Sequence, residues 1–283
     1  MKKTSDKTIP KKTLNKPKIK PTPKTTTTKP TITKKTNPLT QTKTPSKNKS
    51  LQKVSTGIPK LDTLINKGFE KNSTNLIVGG TGSGKSIFGM QFLMEGLRKN
   101  ESCIYITFEE SKKTFYSNMK ALGWDLEALE KNGKFFFLEY TPEKVKTMLE
   151  EGGGIIESII IKNKIQRIVM DSVTSFELLF DKELKKREAA LALFSMLRRW
   201  DCTTLLTYEA DPVACKAESS HALEFESDSI TLLYFQRKGK SRERTLEVLK
   251  MRGTNHSTEI HPFSIGKNGI IVGKKSIPTN NKK

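Results

Sequence analysis

Gly79-Gly80-Thr81-Gly82-Ser83-Gly84-Lys85-Ser86 fits the pattern G-x-x-x-x-G-K-[ST], a loop that wraps phosphate groups. Its flanks agree. Residues 75–78 (NLIV) are a short apolar run that reads as a buried strand. Residues 87–98 (IFGMQFLMEGLR) carry apolar side chains at helical spacing, so the loop joins a strand to a helix. A triphosphate needs that arrangement. Glycines let backbone N–H groups turn inward, and the helix N-terminus adds partial positive charge. Lys85 supplies a full charge to the β- and γ-phosphates, and the Ser86 hydroxyl is the expected Mg²⁺ ligand. The whole run from Gly79 to Ser86 is therefore the expected nucleotide-binding loop.

The 283 residues carry a formal charge of +21, unevenly spread. Residues 1–50 hold fifteen Lys and one Asp, hence +14, and contain no aromatic residue. Such a Lys/Thr/Pro-rich stretch buries too little apolar surface to offset its ordering entropy, so a disordered tail is expected. It fits a non-specific contact with nucleic acid through counterion release, or a solubilising arm with no fixed partner. Residues 274–283 form a second polar, basic tail, which leaves 51–273 as the folded domain. No apolar segment suits a secretory signal, and no run of about 18 apolar residues exists to span a membrane. Cys103, Cys202 and Cys215 are too few and scattered for a disulfide framework or a zinc site, which fits a reducing cytoplasm. The three His are not spaced as metal ligands.

Outward from the loop, residues 55–64 read as a turn into a short helix. Residues 103–108 (CIYITF) are a strand ending in Glu109-Glu110, and helices are expected over 112–122 and 126–131. Residues 134–140 read as a strand, followed by a helix from Pro142 that is interrupted at Gly152-Gly153-Gly154. Residues 167–171 form an apolar strand ending in Asp171. A carboxylate there binds or orients Mg²⁺ opposite a P-loop, although an Asp in that place also caps a following segment. A helix over 182–200 and a strand over 203–208 come next. Strands over 230–235 and 245–251, joined by a basic turn at 237–244, read as a hairpin. A last hairpin turns at Asn268-Gly269. Strands that first alternate with helices and then run consecutively predict an α/β fold. Its parallel central sheet is flanked by helices and extended by antiparallel C-terminal strands.

Over about residues 54–272 the chain resembles the KaiC-like branch of RecA-fold P-loop ATPases. The resemblance rests on Thr56-Gly57-Ile58-Pro59 with Leu61-Asp62, the P-loop, and Thr107-Phe108-Glu109-Glu110-Ser111. It also rests on Gly123-Trp124-Asp125, Met170-Asp171-Ser172-Val173-Thr174, and Lys250-Met251-Arg252-Gly253-Thr254-x-His256. It implies ATP and Mg²⁺ as cofactors. It assigns Glu109 and Glu110 to activating the attacking water, with Glu109 as the base. Without it, the pair reads equally as a solvated acidic loop. Lys250 and Arg252 lie two apart on a strand and so share a face; charges there also guard an edge strand against aggregation. The resemblance implies that this strand faces the next subunit and that both cations reach its γ-phosphate, with Arg244 and His256 on the same surface. That implies a homo-oligomeric ring, a hexamer. The resemblance stops short of a second domain and of an adjacent Ser-Thr phosphoacceptor pair, where this chain has Glu224-Phe225.

The leading expectation is a ring-forming, Mg²⁺-dependent ATP hydrolase acting as a regulatory or signalling switch for a protein partner. A recombinase-like DNA-binding ATPase shares the fold. However, residues 209–226 hold Glu209, Asp211, Glu218, Glu224 and Glu226 against Lys216, and an acidic channel repels a phosphate backbone. A nucleotide-binding scaffold of a motility or other assembly is disfavoured by the intact Glu109-Glu110 pair. A small-molecule P-loop kinase is disfavoured because no separate acceptor pocket is apparent.

Overall fold

Alternation along the strands sets the layering. A computed structural model describes residues 52–212 and 221–273. The expectations for residues 1–50 and 274–283, and for Cys215, Lys216 and Glu218, lie outside the described residues.

Six strands lie parallel: β3 (Thr74–Gly79), β4 (Ser102–Thr107), β5 (Phe135–Glu139), β6 (Ile165–Asp171), β7 (Thr203–Glu209) and β8 (Ser229–Lys238). Three antiparallel strands continue from β8: β9 (Ser241–Met251), β10 (His261–Gly266) and β11 (Gly269–Val272). The order across this sheet is β11-β10-β9-β8-β3-β7-β6-β4-β5. Apart from it, β1 (Lys53–Val54) pairs with β2 (Phe69–Glu70), a ribbon that the sequence reading missed.

Successive residues of the parallel strands enter opposite cores. Ile77, Tyr105, Val169 and Leu205 pack into one, with Phe88 and Phe92 of α2 (Lys85–Arg98). Leu76, Val78, Ile104, Ile106, Ile168, Met170 and Leu206 pack into the other. There they meet α5 (Pro142–Glu151), α6 (Gly154–Asn163) and α8 (Glu183–Arg199) through Met148, Ile160 and Phe194. A sheet covered on both faces needs continuous apolar strands, and that is what the sequence supplies. Short helices α1 (Pro59–Leu64), α3 (Lys112–Ala121) and α4 (Leu126–Lys131) pack on the first core. α7 (Thr174–Glu177) and α9 (His221–Glu226) belong to the second; neither was anticipated from the sequence.

Two buried polar residues tie these layers together. Arg167, 1% exposed, pairs with Glu101 and donates to the carbonyls of Ser55 (2.8 Å) and Phe92 (2.9 Å). Gly96 makes room for it, since a Cβ there would lie 2.6 Å from Arg167 Cδ. Gln91 on α2 accepts from the Ile270 N–H (2.7 Å) and donates to the Gly57 carbonyl (2.8 Å), which fastens β11 against the P-loop helix.

The hairpins differ from the expectation in detail. The basic stretch 237–244 is mostly paired strand: Arg237 faces Arg242 and Lys238 faces Ser241, leaving Gly239-Lys240 as the turn. Cross-strand pairing overrides the repulsion of exposed, well-solvated charges. In the last hairpin Gly266 pairs with Gly269, so Lys267-Asn268 is the turn and Gly269 the first residue of β11. Asn268 itself takes the positive φ (73°) that the turn requires, a role asparagine fills readily. No helix among the described residues is long and apolar enough to cross a membrane.

Candidate nucleotide site

Parallel strands bring their C-terminal ends to one edge of the sheet, the place where open α/β sheets bind ligands. Gly79 ends β3, Glu109 and Glu110 follow β4, Asp171 ends β6 and Glu209 ends β7. The P-loop leaves this edge and feeds α2. Gly82 (φ +74°) and Gly84 (φ +109°) hold backbone angles that side chains disfavour, and they curl the loop into the helix start. Gly79 is needed for packing, since a Cβ there would lie 2.5 Å from Ser83 Oγ. At Gly80 a Cβ would meet nothing within 4 Å, so that side of the loop is open.

Lys85, only 9% exposed, folds back over the loop. Its Nζ donates to the carbonyls of Gly79 (2.9 Å) and Gly80 (3.2 Å), and lies 3.9 Å from the Glu209 carboxylate. Glu209 also accepts from the Thr81 hydroxyl. A residue counted in an acidic channel thus belongs to the P-loop. Glu226 likewise turns to Arg198 of α8 (3.3 Å). The described part of the acidic segment is therefore occupied within the chain at these two positions.

Asp171 is held from both sides. Tyr105 of β4 donates to Oδ2 and Thr207 of β7 donates to Oδ1. Burial, then the charge of Asp171, pushes the Tyr105 phenol well up, so it stays a donor. A fixed carboxylate and the Ser86 hydroxyl on the first turn of α2 are hard oxygen donors of the kind Mg²⁺ takes. The donor set fits that ion when phosphate oxygens and water supply the rest. Among the described residues no cluster of three His, Cys, Asp or Glu forms a separate metal cage.

The two glutamates diverge. Glu109 Oε1 accepts from both Ser172 (2.8 Å), just after β6, and Ser175 (2.5 Å) on α7. Glu110 accepts from Asn118 (2.8 Å) and is partly buried. Burial raises its carboxyl above the ordinary glutamate value, the Asn118 bond opposes this, and the charge of Asp171 adds to the rise.

Strand direction separates the remaining cations. Arg244 pairs with Phe235 near the P-loop edge, stacks on that ring (4.0 Å to the centroid), and donates to the Gly82 carbonyl (3.0 and 3.2 Å). Arg244 thus braces its own chain's P-loop, at the opposite end of β9 from Lys250. β9 runs away from that edge. Lys250 lies opposite Ile230, and the Arg252 N–H bonds the Asp228 carbonyl (2.8 Å), level with Thr74 at the start of β3. At about 3.3 Å per residue, Arg252 stands roughly 15 Å from the Gly79 end of the sheet. Lys250 donates to the carbonyls of Glu224 (2.8 Å) and Phe225 (3.0 Å), and Arg252 to that of Phe225 (2.6 Å). Both cations thus converge on the C-terminus of α9, where positive charge is favoured. His256 sits beyond them with Nδ1 at 3.0 Å from the Ser257 carbonyl.

Tyr105, Thr207 and Ser175 were not singled out from the sequence; Ser172 entered only as part of a motif and Glu209 only as part of an acidic segment. The signal for Glu209 was available: it is a carboxylate at the end of a strand parallel to the P-loop strand. Tyr105 was legible only as a polar tip in an apolar strand.

The family model described as ATPase: KaiC matches residues 54–277. The chain is 32% identical to circadian clock protein KaiC3 of Synechocystis, over 78% of this chain and 46% of that protein. It is also 32% identical to the circadian clock oscillator protein KaiC of Synechococcus elongatus, over 80% of this chain and 45% of that one. The chain thus spans about half the length of these clock relatives. It spans nearly all of a solved KaiC-like protein from Pyrococcus horikoshii, with 34% identity, TM-score 0.70, and coverage of 78% of this chain and 99% of that one.

Proposed function

The chain belongs to the KaiC family of RecA-fold ATPases, and from that premise we propose that it binds and hydrolyses ATP with Mg²⁺ in a ring, as a regulatory switch for a protein partner. One observation carries the reading. Lys85, Asp171 and Glu110 gather at one edge of the sheet, whereas Lys250 and Arg252 of the same chain stand at the other end of β9.

The residues divide the chemistry as follows. The open P-loop and the N-terminus of α2 receive the phosphates, and Lys85 neutralises them. Ser86 and Asp171 would hold Mg²⁺, which when bound offsets phosphate charge. Glu110 takes a proton from the attacking water. That oxygen bonds to the γ-phosphorus as the bond to ADP breaks. We assign the base to Glu110 in place of Glu109, because Ser172 and Ser175 already engage the Glu109 carboxylate. Glu109 then orders the loop after Asp171.

Lys250 and Arg252 lie too far along the sheet to reach their own γ-phosphate. The same residues facing a neighbour's P-loop would neutralise charge in the transition state, as an arginine finger does. Their carbonyl partners on α9 fix the direction in which they are presented. The clock role named for the relatives is not carried over, since Glu224-Phe225 offers no hydroxyl pair.

Turnover per subunit should then depend on assembly. Diluting the protein until sedimentation shows single subunits should reduce specific ATPase activity by roughly a thousandfold, the lower end of what a donated finger contributes. Undiminished activity in dissociated subunits would overturn the neighbour's contribution.

A further inference from the structure

The strand tyrosine beside Asp171 has a role that neither packing nor the P-loop pattern explains. Tyr105 is fully buried, with its ring packed against Phe115 (4.5 Å between centroids) and Phe137 (5.7 Å, stacked). A phenylalanine would satisfy that packing. The hydroxyl is what reaches the site. It donates to Asp171 Oδ2, while Thr207 donates to Oδ1, so each carboxylate oxygen is pinned by a hydroxyl from a neighbouring strand. Tyr105 pairs with Val169 and Thr107 with Asp171, so the Tyr105–Asp171 bond runs diagonally across one face of the sheet.

A tyrosine hydroxyl has one proton to give, and here it is committed to Asp171 Oδ2, which holds the carboxylate in one orientation. We propose that Tyr105 is a positioning residue for the divalent-cation site, orienting the Asp171 carboxylate as a ligand. Mg²⁺ demands near-ideal octahedral geometry and Ca²⁺ tolerates a looser one, so a braced carboxylate also favours the smaller ion. This rests on reading Ser86 and Asp171 as the Mg²⁺ ligands.

The test is a cation titration of the full chain with a fluorescent, non-hydrolysable ATP analogue, using Mg²⁺ and Ca²⁺ in separate arms. Tyr105→Phe keeps the ring and removes one oxygen; circular dichroism and the thermal midpoint check its fold. Loss of a residue that orients metal ligands costs about ten- to a hundredfold in metal affinity. The half-saturating Mg²⁺ concentration should rise by about that factor, with a smaller rise for Ca²⁺. An unchanged Mg²⁺ midpoint, or equal shifts for both ions, would overturn the proposal. Ser86→Ala and Asp171→Asn run alongside. If both move the Mg²⁺ midpoint and Tyr105→Phe does not, the tyrosine's role alone fails. If neither moves it, the metal-site reading fails and takes this inference with it.

Discussion

Lys85→Ala should weaken ATP binding by roughly a hundredfold or more, because each charge-assisted hydrogen bond to a phosphate oxygen contributes about 1.5–3 kcal/mol and this lysine supplies more than one. The surroundings enlarge the effect. Glu209 lies 3.9 Å from the Lys85 ammonium and also binds Thr81. Without the ammonium, the Glu209 carboxylate would face the phosphates with no compensating charge. The carbonyls of Gly79 and Gly80 would lose their shared donor as well. Calorimetry with ATP reads the loss, and a matched thermal midpoint shows that the fold survives. Tight binding retained by a folded Lys85→Ala protein would remove the phosphate role from the loop.

Glu110→Gln should keep ATP binding and lower turnover by about a hundredfold or more, the scale on which general bases act. Glu109→Gln should cost less, since that carboxylate is engaged by Ser172 and Ser175. The pH profile separates the two roles. A base works only when deprotonated, and burial raises the Glu110 carboxyl above the ordinary glutamate value. Wild-type turnover should therefore fall as pH drops through that raised pKa. The acid limb should vanish in Glu110→Gln and persist in Glu109→Gln. The reverse pattern would return the base to Glu109.

The P-loop, its strand and its helix were legible in the sequence because phosphate binding and strand burial each leave a local mark. Gly79 to Ser86 follow a spacing, and the apolar runs of β3, β4, β6 and β7 follow from burial on both faces. What escaped is non-local. Nothing near Tyr105 in the chain says that its hydroxyl meets Asp171; only the pairing of β4 with β6 does. The contact of Arg244 with its own P-loop was not legible either, because a motif position does not state where a strand passes that loop. Register settles that: Phe235 faces Arg244, and Ile230 faces Lys250. The choice between Glu109 and Glu110 was likewise undecidable from neighbours in sequence, since Ser172, Ser175 and Asn118 come from separate elements.

Mixed rings test the central claim most directly. Arg252→Ala leaves a subunit's own P-loop intact and removes a cation 50% exposed at the end of β9. Lys85→Ala does the reverse. Each variant alone should be nearly inactive. Co-assembled in equal amounts, with subunit exchange verified by native mass spectrometry, some interfaces pair an intact P-loop with an intact neighbouring Arg252. If each interface works independently, activity should return to about a quarter of wild type, the share of such interfaces under random mixing of donated fingers. Verified mixed rings that remain as inactive as either parent would contradict the account.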